Sequence, residues 1–195
     1  MRKRLCITVL LSLFCLAGVA DELAIGTDAP AFSLVDARSN QTVTFEPGSS
    51  PSVIVFTCNS CPYAKAFESR IVELGRQYQD RGVAFYAVNP NDDAKYPAET
   101  SAEMQKRAED RDYPFPYLKD GDSSVARKWG ARVTPHVFLV DGSGAVVYRG
   151  YVDDSAKPEE RNDQGLKNAL DAVLAGRPVA NDSTKAFGCT IKWKS

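Results

Sequence analysis

A pair of cysteines between a buried strand and an amphipathic helix most restricts what this chain can fold into. Residues 53–56 form a continuous apolar run, typical of a strand that is covered on both faces. Cys58 and Cys61 follow at once, and apolar residues then recur at helical spacing from Phe67 to Tyr78. This order predicts an α/β domain in which the cysteines stand at the start of a helix.

The rest of the chain supplies more strands and helices for such a domain. We predict strands at 31–35 and 41–45 as one hairpin, at 83–88, and at 137–140 and 145–148 as a second hairpin. Helices are predicted at 100–111, opened by a capping box, at 123–129 as one or two turns, and at 166–174. With 44% hydrophobic residues and a net charge of −1, the chain is neither disordered nor a general nucleic-acid binder.

The first twenty residues have the pattern of a secretory signal peptide. Three basic residues at 2–4 precede an apolar run from Leu5 to Ala20, which is short for a bilayer span. We predict cleavage after Ala20, and a single membrane anchor is the alternative interpretation. A lipoprotein cysteine at Cys15 is disfavoured by the bulky Phe14. The expected product is one exported domain, 21–195 with a C-terminal tail 179–195, periplasmic or extracellular and free of the membrane.

The two cysteines favour redox chemistry. A cysteine at a helix start is stabilised as a thiolate by free backbone N–H groups and the helix dipole, and we expect Cys58 there. Cys61 lies one turn further on, and Pro62 fits the first helical turn. The pair therefore suits disulfide exchange. Two alternatives remain: half of a zinc site completed by Cys189 and His136, and an inert structural disulfide.

Several motifs together resemble the thioredoxin-like superfamily. They are Gly-x-x-Ala-Pro-x-Phe at 26–32, Cys-x-x-Cys-Pro at 58–62, Thr-Pro at 134–135 before an apolar strand, and Gly-Cys-Thr-Ile-Lys-Trp at 188–193. The first resembles the redoxin and peroxiredoxin branch, and the last resembles secreted peroxiredoxin-like proteins. The resemblance implies a thioredoxin-like fold, with a central mixed sheet flanked by helices and an N-terminal β-hairpin. It also implies that Pro135 is cis and faces the cysteines, and that the Thr134 backbone pairs with an extended substrate segment.

These observations predict an exported thiol–disulfide oxidoreductase. Cys58 attacks, Cys61 resolves the mixed disulfide, and Thr134 with Pro135 orients the partner. The cysteines carry the two electrons, so no dissociable cofactor and no metal is expected. The expected partners are protein or small-molecule thiols and disulfides, including a redox partner protein. Cys189 is either a third redox cysteine or an unreactive buried thiol.

Two alternatives concern the same residues. A peroxiredoxin-like peroxidase would use Cys58, but Val55 and Pro135 stand where that family places threonine and arginine. Those two side chains would bind and polarise a peroxide, so their absence disfavours efficient peroxidase activity. The third hypothesis is a metal-binding or metal-delivery module that uses Cys58, Cys61 and His136.

Overall fold

The computed structural model describes residues 21–195, so the predicted signal peptide at 1–20 lies outside the described residues. The strands are Phe32–Asp36 (β1), Thr42–Phe45 (β2), Ser52–Phe56 (β3), Ala84–Asn89 (β4), Tyr117–Lys119 (β5), Val133–Thr134 (β6), His136–Val140 (β7), Val146–Gly150 (β8) and Cys189–Thr190 (β9). The α-helices are Pro62–Gln79 (α1), Ser101–Asp110 (α2), Ser124–Trp129 (α3) and Gly165–Leu174 (α4). Short 3₁₀ turns occupy Pro97–Glu99 and Pro158–Glu160.

The central sheet is mixed and has the strand order β2-β1-β5-β4-β3-β7-β8. Strands β3, β4 and β5 run parallel to one another, whereas β7 is antiparallel to β3. Every residue of β3 is buried, as expected for a strand covered on both faces. Because side chains alternate along a strand, Val53 and Val55 face one core and Ile54 and Phe56 face the other.

Helices cover both faces of this sheet. Apolar residues of α1, α2 and α4, including Phe67, Met104 and Leu166, pack into the first core. Ala126 and Trp129 of α3 join the second core with side chains of the β1–β2 hairpin. Both predicted hairpins are present, as β1–β2 and β7–β8. The predicted thioredoxin-like architecture is confirmed.

Three short strands were not predicted. Strand β5 follows Pro116 and has three residues, and β6 and β9 have two residues each. Strands β6 and β9 pair only with each other, in a separate antiparallel ladder beside the main sheet. Between residues 21 and 195, no helix combines the length and apolar character needed to cross a bilayer.

Candidate active site

The two cysteines lie where β3 ends and α1 begins. Helix α1 starts at Pro62, and Cys61 is its N-cap, with its sulfur accepting the Ala64 N–H at 3.4 Å. The prediction that Cys58 occupies the helix start is therefore wrong, and Cys61 holds that position. Proline favours the first helical position because it has no N–H to leave unpaired, so Pro62 sets the helix start one residue after Cys61.

Both thiols are buried and contact the same threonine. Cys58 and Cys61 are each 3% exposed, and both carry free thiols. The Cys58 sulfur lies 3.2 Å from the Thr134 hydroxyl, and the Cys61 thiol donates to the Thr134 carbonyl oxygen at 3.2 Å. The structure thus brings together Cys58, Cys61 and Thr134 from two separate parts of the chain.

The two thiols differ in acidity. The hydrogen bond with Cys58 lowers the pKa of Cys61 and outweighs the opposing effect of burial. Contacts with Cys189 and with the Ala64 N–H lower this pKa further. The same hydrogen bond with Cys61, together with burial and the negative charge of Glu99, raises the pKa of Cys58. Cys61 is therefore the thiol that ionises first, and Cys58 holds its proton.

A buried carboxylate organises the turn between the cysteines. Glu99 is fully buried and accepts the backbone N–H groups of Asn59 and Ser60 at 2.9 and 3.0 Å. It also accepts the Ser60 hydroxyl and the side-chain amides of Asn89 and Asn91. Burial raises the pKa of Glu99, but these hydrogen bonds more than offset that effect, so its net pKa is lowered. Glu99 stays ionised and fixes the turn geometry.

Sequence reasoning did not identify Glu99. It lies 40 residues from Asn59 along the chain and in a 3₁₀ turn, and no motif marks it. Tyr117 adds to the same cradle by donating its buried hydroxyl to the Asn59 side-chain oxygen at 3.0 Å. The turn between the cysteines is therefore held from two sides by residues that the Cys-x-x-Cys motif does not contain.

The Thr134–Pro135 bond is cis, as the family resemblance implied. The backbone edge beside it is already paired, because Thr134 lies opposite Cys189 in the β6–β9 ladder. Hence the chain itself supplies the strand that we had expected from a substrate. Cys189 packs against the cluster formed by Cys58 and Cys61.

His136 belongs to a different environment. It is 1% exposed, and its ring lies 4.6 Å from the Phe138 ring, centroid to centroid. Neither ring nitrogen has a hydrogen-bond partner within the described residues. Burial, and then the positive charges of Arg149 and Arg132, lower its pKa to about 3. Among residues 21–195, no group of three His, Cys, Asp or Glu side chains is arranged to hold a metal ion.

Comparison with known proteins agrees with this geometry. The model of the AhpC/TSA family matches residues 25–149. The chain belongs to the AhpC/TSA family. Membership of this family gives the chain a thiol-based redox function. A search of curated proteins gave no match.

Solved structures extend the likeness of this AhpC/TSA protein beyond the family segment. It is similar to an uncharacterized conserved protein from Geobacillus kaustophilus, with 38% identity, 88% of this chain and 93% of that chain covered, and a TM-score of 0.82. A hypothetical protein from Sinorhizobium meliloti 1021 is 33% identical, with 90% and 97% covered and a TM-score of 0.82. A putative thiol:disulfide interchange protein DsbE from Chlorobium tepidum shares the fold at 21% identity, with 78% and 99% covered and a TM-score of 0.63.

Proposed function

We propose that this protein is an exported thiol–disulfide oxidoreductase whose redox couple is Cys58 and Cys61. One observation carries the proposal: the two thiols pack in one cluster just before α1, and both bind Thr134. Forming a disulfide between them releases two electrons and reducing it takes up two, and exchange with a partner would proceed through a mixed disulfide. The proposed partners are protein or small-molecule thiols and disulfides. Export is supported by the signal-peptide pattern at 1–20.

The acidities support an assignment of roles opposite to the one predicted from sequence. Thiolates are the attacking species, and Cys61 has the lower pKa of the pair. We therefore assign Cys61 as the nucleophile and Cys58 as the buried thiol that closes the internal disulfide. Thr134 positions both sulfurs, through its hydroxyl for Cys58 and its carbonyl oxygen for Cys61.

The other two hypotheses gain less support. The positions expected to bind a peroxide hold Val55, which is buried in the sheet, and Pro135, so neither offers a hydroxyl or a guanidinium. For a metal module, His136 would have to join the thiols, yet its ring packs on Phe138 and shares no hydrogen bond with either sulfur.

The proposal is tested by comparing disulfide exchange in the wild-type protein and in its cysteine variants. We expect Cys58 and Cys61 to form a disulfide in a glutathione redox buffer, and peptide mass mapping should detect it. The fraction of oxidised protein should depend on the buffer potential as expected for a two-electron couple. Cys61→Ser, and Cys58→Ser combined with Cys189→Ser, should each reduce the turnover of a protein disulfide by about a hundredfold or more, because neither variant keeps Cys61 together with a sulfur that can pair with it.

The control is Ser101→Ala, which removes an exposed serine hydroxyl at the start of α2 and keeps both sulfurs and the turn between them. Turnover in both serine variants that equals the wild-type value would contradict the proposal. So would oxidation by hydrogen peroxide that is faster than exchange with the protein disulfide, measured by stopped flow. That second result would favour the peroxidase alternative.

A further inference from the structure

A third sulfur lies beside the couple. The β6–β9 ladder places Cys189 opposite Thr134, and Cys189 packs against the cluster that Cys58 and Cys61 form. Cys61 therefore has two other cysteines in its cluster, Cys58 and Cys189. Cys61 can therefore pair with either of two neighbouring cysteines.

The segment that carries Cys189 is anchored on both sides. Before it, Phe187 packs edge-on against Phe67 and Tyr63, with ring centroids 5.6 and 6.0 Å away. After it, Ile191 is 2% exposed in the second core and donates its N–H to the Arg132 carbonyl oxygen at 3.1 Å. Cys189 is thus a fixed part of the site.

Gly188 shows how closely this segment approaches the site. A Cβ at that position would overlap the Thr134 carbonyl oxygen. Only glycine allows β9 to lie this close to the backbone next to the cysteines. The close approach of the segment therefore depends on one residue.

Access from solvent differs among the three cysteine residues. Cys58 and Cys61 are each 3% exposed, whereas Cys189 is partly exposed. Strand β9 also covers the Thr134 edge on which an extended substrate was expected to pair. A partner sulfur therefore reaches Cys189 before it reaches the other two.

We propose that Cys189 is a third redox cysteine, through which partners exchange disulfides with the Cys58–Cys61 couple. This inference rests on the proposed oxidoreductase function and names the sulfur that partners contact. It also explains why the edge beside Thr134 can be closed without isolating the couple from its partners.

The exchange balances in sulfur, protons and electrons. The Cys189 thiolate attacks the Cys61 sulfur of the Cys58–Cys61 disulfide, the bond between Cys61 and Cys189 forms, and Cys58 leaves and takes up a proton. A partner dithiol then attacks Cys189, with the Cys61 thiolate as leaving group. Its second thiol attacks the mixed disulfide, so the partner is oxidised by two electrons and Cys61 and Cys189 end as thiols. The same steps in reverse reduce a partner disulfide.

A low pKa of the leaving thiol favours the attack of a partner thiol on the Cys61–Cys189 disulfide. The contact with Cys58 lowers the pKa of Cys61, whereas burial and then the contact with Cys61 raise the pKa of Cys189. Attack by a partner at Cys189 expels the more acidic thiol, which is the faster direction of cleavage for this disulfide.

The first experiment traps the disulfide between Cys61 and Cys189. Reduced Cys58→Ser is treated with oxidised glutathione, quenched in acid and mapped by peptide mass. We expect a Cys61–Cys189 link in most molecules. Adding Gly188→Ala to this variant should abolish the link, whereas Gly121→Ala should not, since nothing lies within 4 Å of a Cβ at Gly121. Glutathione bound to Cys61 beside a free Cys189 would overturn the proposal.

The second experiment measures rate. Oxidised wild type and Cys189→Ser are mixed with reduced, unfolded ribonuclease, and the loss of the Cys58–Cys61 disulfide is followed. We expect Cys189→Ser to be slower by about tenfold or more, because the accessible sulfur is gone. The control Thr190→Ser changes the exposed neighbour in the same strand and should keep the wild-type rate.

The outcomes separate the two proposals. A wild-type rate in both Cys189→Ser and Cys189→Ala would overturn the role of Cys189 and leave the Cys58–Cys61 couple intact. Wild-type turnover of a protein disulfide in Cys61→Ser would instead contradict the oxidoreductase function itself.

Discussion

At the scale of single residues, Glu99 links the geometry of the turn to the chemistry of the thiols. Its carboxylate accepts both backbone N–H groups between the cysteines, so it holds the two sulfurs at their spacing. Its negative charge also raises the pKa of Cys58, after the larger effects of the Cys61 hydrogen bond and burial. Glu99 thereby adds to the effects that keep the Cys58 thiol protonated, while Cys61 ionises first.

Replacement of this carboxylate tests both effects. In Glu99→Gln we expect the pKa of Cys58 to fall, because the nearby negative charge is removed. The difference in pKa between Cys58 and Cys61 should therefore become smaller. The amide NH₂ would face another donor, and leaving a buried donor unpaired costs about 1–3 kcal/mol of unfolding free energy. The pH dependence of alkylation at each cysteine, read by mass mapping, measures the first effect, and urea unfolding measures the second.

The control is Glu103→Gln, an exposed carboxylate in the first turn of α2. It should leave the pH dependence of cysteine alkylation and the free energy of unfolding unchanged. If the wild-type protein were alkylated at Cys58 at a lower pH than at Cys61, the assignment of roles would have to be reversed.

At the scale of elements, a buried ion pair fixes α2 against α1. Glu68 of α1 accepts two hydrogen bonds from Arg107 of α2, at 2.7 and 2.9 Å, and one from the Tyr113 hydroxyl at 2.8 Å. Only Thr100 separates Glu99 from the start of α2, so the same contact holds the turn that supports the cysteines. The thiol site therefore depends on helix packing some distance from it.

Loss of this contact should lower stability measurably. Glu68→Gln leaves Arg107 without its counter-charge in a setting where that side chain is only 18% exposed. Breaking a buried pair typically costs 3–5 kcal/mol, and the partial exposure of Arg107 places our expectation at about 3 kcal/mol. Urea unfolding should show a lower midpoint with an unchanged slope.

An exposed ion pair provides the comparison. Lys157 and Glu160 are 64% and 57% exposed, so Glu160→Gln should cost less than about 0.5 kcal/mol. Equal losses in the two variants would mean that the Glu68 contact does not stabilise the helix packing.

At the scale of the whole molecule, His136 makes folding sensitive to acid. Its pKa falls from 6.5 to about 3 in the folded chain, so the unfolded chain binds a proton that the folded chain excludes. The stability associated with neutral His136 is complete above pH 6.5 and is lost as the pH falls towards 3. The loss should reach about 1.4 kcal/mol of unfolding free energy per pH unit within this window.

The variant His136→Leu should remove this dependence. Since burial raises the pKa of Asp120 to about 6, that group acts in the opposite sense over part of the same range, and the difference between variant and wild type isolates the histidine. Unfolding free energies measured by urea at several pH values between 4 and 7 provide the test. Parallel curves for the two proteins would show that His136 does not titrate as described.

The sequence was informative where periodicity is strong. Long apolar patterns predicted β3, β4, β7 and α1, and Thr100 caps α2 through the Glu103 N–H as its spacing indicated. Strands β5, β6 and β9 have only two or three residues, too few for a pattern to emerge.

Within the candidate site, features set by local sequence could be predicted, whereas contacts between distant parts of the chain could not. The position of Pro62 could have identified Cys61 as the N-cap, because proline marks the first helical residue. No local signal could have placed Glu99 under the turn or Cys189 beside Cys61, since both contacts depend on tertiary packing.

The position of Trp193 makes the 179–195 segment visible by spectroscopy. Its indole packs beneath the Arg127 guanidinium, 4.6 Å from ring centroid to the Arg127 Cζ atom, four residues beyond Cys189. The other tryptophan, Trp129, is fully buried in the second core. Tryptophan fluorescence of a Trp129→Phe variant, excited at wavelengths that tyrosine does not absorb, would arise from Trp193 alone. The chain thus carries its own optical reporter for any departure of β9 from the cysteines.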